Sequence, residues 1–80
     1  MRVLLFGRYA DAAGWRSREL ASAPANLSAL IDSLADETPA LANDLRARWT
    51  MVTRNLTQVR GDTALSPDDE IAFMPPMSGG

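Results

Sequence analysis

The 80 residues include no Cys, no His and no Lys, and eight Arg stand against ten Asp and Glu, a net charge of −2. Without Cys there is no disulfide framework or thiolate nucleophile, and without His the commonest general base and metal ligand is missing. The mild acidic balance speaks against nucleic acid, and no apolar run approaches a membrane span or a signal peptide.

The first strand signal is Val3-Leu4-Leu5-Phe6, closed by Gly7. Alternation sends Val3 and Leu5 to one face and Arg2, Leu4, Phe6 and Arg8 to the other. The two Arg mark the second face as the solvent side, which leaves Phe6 apolar and outward. Tyr9 to Gly14 reads as a small-residue turn of at most one helical turn. Trp15 to Ala21 reads as a second strand able to hairpin onto the first, and Ala23-Pro24-Ala25 as a connector.

Asn26 then caps the clearest helix of the chain, with Leu27, Leu30, Ile31, Leu34 and Ala35 on one stripe. Asp36-Glu37 ends it. Thr38 and Pro39 suit the cap and first position of a weaker helix that carries Leu41 and Leu45 and runs out near Arg48. Arg46 and Arg48 suit a helix C-terminus, where cations meet the dipole. Met51 to Thr53 and Thr57 to Val59 are candidate hairpin strands around Arg54-Asn55, with turns at Gly61-Asp62 and Ser66 to Asp69. Asp68-Asp69-Glu70 reads as solvated acids rather than a cation site, and Trp15 and Trp49 as core or core-edge residues.

Glu70 to Met74 is the last strand, with Ile71 and Phe73 on one face and Glu70, Ala72 and Met74 on the other. If first and last strands are neighbours, Phe6 and Met74 share the sheet's outer face. That apolar pair is either ordinary surface or a partner surface.

The chain ends Pro75-Pro76-Met77-Ser78-Gly79-Gly80. Two prolines stop strand pairing and extend the chain stiffly, and Ser-Gly-Gly adds a thin tip. Such a segment suits entry into a narrow channel of another protein. The tip's one chemical group is the carboxylate of Gly80, which ATP could activate as an acyl adenylate. Glycines let a second backbone close around them. The absence of Lys removes any side-chain amine that could capture such a terminus, although the codon bias of a GC-rich genome is the better account of it.

From Leu65 to Gly80, above all in Pro75-Pro76-Met77-Ser78-Gly79-Gly80, the sequence resembles the MoaD-like sulfur carriers, the small subunits of molybdopterin synthase. The Asn55 and Gly61-Asp62 turns and the opening strand agree more loosely. The resemblance implies one α+β domain over 1–80, a ubiquitin-like β-grasp with a mixed sheet on one main helix and 74–80 as a flexible extended tail. It implies a cytoplasmic, non-catalytic carrier that binds no cofactor or metal of its own. An E1-like adenylyltransferase would adenylate Gly80 with ATP and Mg, and a sulfurtransferase would supply sulfur for a thiocarboxylate. The tail, Pro75 to Gly79, would enter the large synthase subunit, with Phe6 and Met74 as apolar partner contacts, and the sulfur would build the dithiolene of molybdopterin.

Three positions depart from the family pattern. Asp68 stands where a turn usually has Gly, a left-handed position that Asp tolerates at some cost. Ala10-Asp11 replaces a frequent Arg-Glu pair, and Met77 replaces a usual Val. The same activation chemistry also fits a sulfur carrier for thiamine or cysteine synthesis, or a protein modifier conjugated through Gly80.

Overall fold

A computed structural model describes residues 1–76 of the chain. It contains the strands β1 (Arg2–Leu5), β2 (Ser17–Glu19), β3 (Met51–Arg54), β4 (Thr57–Val59) and β5 (Glu70–Met74). Three helices accompany them: α1 (Arg8–Ala13), α2 (Leu27–Glu37) and α3 (Ala42–Arg46), the last preceded by a 3-10 turn at Pro39–Leu41. The strands form one mixed sheet in the order β2-β1-β5-β3-β4. β5, last in sequence, lies at the centre, parallel to β1 and antiparallel to β3.

The inner face follows the alternation read from the sequence. Val3, Leu5, Ile71 and Phe73 are buried, and α2 supplies Leu27, Leu30 and Leu34 opposite them. Leu41, Leu45 and Val52 complete the same cluster. On the outer face Arg2 is exposed, while Leu4 and Met74 are half-buried. Ala72 also lies on that side yet is buried, because its short side chain sits between Leu4 and Thr53 on the flanking strands.

α2 forms where its cap and stripe predict, and the fold satisfies each of its first three backbone donors. The Ala29 N–H donates to Oδ1 of Asn26, the Ser28 N–H to Oδ1 of Asp62, and the Leu27 N–H to the Thr63 carbonyl. The loop after β4 is thereby tied to the start of the helix. At the far end Arg18 of β2 reaches Glu37 at 2.6 Å and covers the half-buried Trp15 ring at 4.3 Å, so Trp15 is a core-edge residue.

Several expectations need correction. Tyr9 to Gly14 is more than a turn: α1 spans Arg8–Ala13 and ends on left-handed Gly14. It buries Tyr9 completely, and the Tyr9 hydroxyl bonds Thr50 Oγ1 at 2.6 Å, an anchor outside any periodic pattern. β2 is shorter than Trp15 to Ala21, and β3 runs one residue past Thr53. Thr38 precedes the 3-10 turn but makes no side-chain cap bond. Trp49 is 52% exposed, not a core residue. Asp68 has no positive φ; among the described residues the left-handed non-glycine ones are Asn55 and Leu56, which form the two-residue β3–β4 turn. The cost therefore falls on Leu56, roughly 1–2 kcal/mol for a left-handed residue with a Cβ.

The two phenylalanines separate fold from surface. Phe73 is fully buried, and Phe73→Ala should cost about 3–5 kcal/mol. That is a large part of the roughly 5–15 kcal/mol that holds a domain together. Phe6 is 47% exposed, and Phe6→Ala should cost under about 1 kcal/mol. Urea unfolding of the two variants checks this; equal losses would contradict the assignment of faces.

Candidate functional site

The candidate site is the end of the sheet where β5 gives way to the tail. Parallel pairing with β1 places Leu5 opposite Phe73, and the next residue continues the contact through Phe6 N–H to the Phe73 carbonyl at 3.1 Å. Phe6 therefore comes level with Met74, as expected for neighbouring strands. From the other side, Met51 of β3 stands opposite Met74. Phe6, Met51 and Met74 form an apolar, partly exposed collar around the point where the chain leaves the sheet.

Gly7 fixes the direction of departure. Its φ of 56° and ψ of −136° are open to glycine without strain. A Cβ there would meet Pro75 Cγ at 3.1 Å, so Pro75 lies directly over the Gly7 backbone. Pro75 is half-buried and Pro76 exposed, so the rigid pair starts on the body and points off it. A cleft of about 410 Å³ opens beside this root, between Phe6-Gly7 and Arg16-Ser17 of the neighbouring strand. Met77, Ser78, Gly79 and Gly80 lie outside the described residues.

A further aromatic, not singled out as a surface residue by the sequence, stands near the root. Arg8 lies 6.0 Å from the exposed Trp49 ring, 5.6 Å from the Tyr9 ring and 3.6 Å from Asp44. Trp49 directly precedes the Thr50-Met51 segment, so it borders the same end of the sheet. Its isolation from any apolar stripe was the available signal. Ala10 is buried in α1 and Asp11 exposed, so the departure from Arg-Glu leaves one acid at the cleft beside Phe6.

The opposite end of β5 is held by polar groups. Asp69 is 5% exposed, contrary to the reading of solvated acids. Its Oδ2 accepts from Arg54 Nε at 2.9 Å and from the Ser66 N–H at 2.8 Å, and its Oδ1 from Asn55 Nδ2 at 2.9 Å. Asn55 also accepts from the Glu70 N–H through Oδ1 and donates its own N–H to the Glu70 carbonyl. The network locks the β3–β4 turn to the first residue of β5 and so sets the register in which Met74 and Pro75 arrive. Both Asp69 oxygens are committed to internal donors.

The Arg54 and Asn55 bonds, with the Ser66 N–H, hold the Asp69 carboxyl down at about 2 from its ordinary 3.8. A carboxyl depressed in the folded state contributes stability above its unfolded pKa and loses it as pH falls through the folded value. The Ser28 N–H also lowers Asp62, to a lesser extent.

Comparison with known proteins agrees with this architecture. The ThiS family profile matches residues 3–80. No curated protein sequence matches the chain. The structure is similar to that of small archaeal modifier protein 1 from Methanosarcina acetivorans, with a TM-score of 0.84 and 26% identity over 99% of this chain and 94% of that one. It is also similar to the Haloferax volcanii protein of the same name, with a TM-score of 0.79 and 29% identity over 99% and 97% of the two chains. The fold is accordingly a ubiquitin-like β-grasp. Among the described residues no helix is long and apolar enough to cross a membrane.

The pH dependence is directly measurable. Stability of the chain should fall as pH drops from about 3.8 to about 2. Asp69→Asn should be less stable at neutral pH and much flatter across that window, leaving the smaller Asp62 contribution. Denaturant titrations at several pH values check this; parallel curves for the two proteins would contradict the network.

Proposed function

Because the chain belongs to the ThiS family of ubiquitin-like sulfur carriers, we propose that it is the sulfur-carrying small subunit of molybdopterin synthase. The observation that carries this reading is the union of a root directed by Gly7 with the sequence beyond it. β5 ends at Met74, Pro75 is seated on Gly7, and the sequence continues Pro76-Met77-Ser78-Gly79-Gly80.

In this reading the protein is a macromolecular substrate. The Gly80 carboxylate attacks the α-phosphate of ATP on an E1-like adenylyltransferase, with Mg as the enzyme's own cofactor, and pyrophosphate leaves. The terminal sulfur of a sulfurtransferase persulfide then displaces AMP, and a thiol reductant cleaves the S–S bond of the resulting acyl disulfide to release the thiocarboxylate. The body contributes aim and grip: Gly7 and Pro75 direct the tail, and Phe6 and Met74 give the receiving subunit an apolar collar to close on. Gly79 and Gly80 let that subunit's backbone approach the acyl carbon without meeting a side chain.

A second reading is favoured by the similar solved structures, which are small archaeal modifier proteins. A modifier uses the same adenylate but passes Gly80 to a target Lys amine, so covalent adducts on a denaturing gel distinguish it.

Complementation tests the proposal. The chain should restore molybdenum-cofactor-dependent activity to a strain lacking its own synthase small subunit, and leave a strain lacking the thiamine carrier unrescued. A variant with one Ala added after Gly80 should melt at the same temperature and rescue neither. Rescue of the thiamine strain alone would reassign the acceptor, and full activity of the extended chain would overturn the role of Gly80.

A further inference from the structure

A second concave site lies on the helix side of the sheet, formed where α2 and α3 stand over the β3–β4 hairpin. Its volume is about 530 Å³. Ile31, Val52 and Val59 give it an apolar floor, and one wall is β4, the outermost strand of the sheet. We propose that this cleft binds an extended acidic segment of another protein, which adds as a strand to the free edge of β4.

Backbone geometry supplies the first argument. Arg54 and Thr57 flank the two-residue turn and face one another, as do Val52 and Val59. Hydrogen-bonded and non-bonded pairs alternate along an antiparallel ladder, so Gln58, opposite Thr53, turns its N–H and C=O away from β3. Unpaired edge groups beside a groove are the requirement for strand addition.

Charge supplies the second. Both acids of the cleft are already engaged: Asp32 with Arg46 at 2.7 Å, and Asp62 with the Ser28 and Thr63 N–H groups. Arg48 and Arg60 also line the cleft, are exposed, and make no ion pair among the described residues. On a chain of net charge −2 the cleft thus offers two uncommitted cations above an apolar floor. Acidic side chains alternating with apolar ones match both, since successive residues of a strand face opposite ways.

The described residues that line this cleft all lie outside the tail, and its test is independent of the sulfur chemistry. Amide NMR titration of the whole chain with a blocked Asp-Val-Asp-Val-Asp peptide should move the signals of Gln58, Val59 and Arg60. The same peptide with an N-methylated backbone should lose that effect, and Lys-Val-Lys-Val-Lys should not produce it. The double variant Arg48→Glu with Arg60→Glu should weaken binding about tenfold or more, with the remaining signals unshifted. Absence of shifts at millimolar peptide, shifts centred on Leu4 and Ala72, or equal binding of the Lys peptide would overturn the proposal. Shifts that grow with protein concentration in the absence of peptide would also overturn it, and would assign the edge to a second copy of the chain.

Discussion

The parallel pairing of β1 and β5 is the constraint on which the rest of the molecule depends. A parallel pair cannot be closed by a hairpin, so the chain between the two strands must cross the sheet, and α2 and α3 are that crossing. Because β5 takes the central place, its inner residues Ile71 and Phe73 meet the core from both sides. Its direction is equally consequential. Running with β1, it ends beside Phe6-Gly7, and the glycine accepts Pro75 where a Cβ would crowd the proline ring. The aim of the tail is thus a property of the sheet.

The two ends of β5 divide the work. At its entry, the buried Asp69 forms a polar lock with the half-exposed Arg54 and the exposed Asn55, and its burial cost is offset because each carboxylate oxygen is bonded, one of them to an ionised donor. At its exit there is no such network among the described residues, only backbone against proline and an apolar collar. A bonded entry and a sparsely held exit would suit the proposed role, in which the last residues meet other proteins while the body stays folded.

Legibility in the sequence followed the range of the interactions. α2 was readable because Asn26 and its stripe lie within one helix, and the sheet faces were readable because alternation is local. The end of β5 was readable because Pro75 and Pro76 act through their own backbones, while the reading of Met77 to Gly80 falls outside the described residues. Asp69 was not, since three adjacent acids look solvated until Arg54 and Asn55, 15 and 14 residues away, come into reach. Tyr9 was hidden among small residues, its partner Thr50 lying 41 residues on. Trp49 was misjudged because aromatic character predicts burial only when a neighbouring stripe accompanies it. Arg48 reads in the sequence as a helix-end cation and Arg60 carries no local signal, and only the fold brings them to one cleft.

The reactive group assigned to the chain is the carboxylate of Gly80, and an intact-mass measurement addresses it most directly. The protein is incubated with an E1-like adenylyltransferase, ATP, Mg and a sulfur donor, then weighed under denaturing conditions and fragmented. Exchange of one oxygen for sulfur, confined to Gly80, is the expected result. An unchanged mass, with the enzyme active on its own carrier, would contradict it.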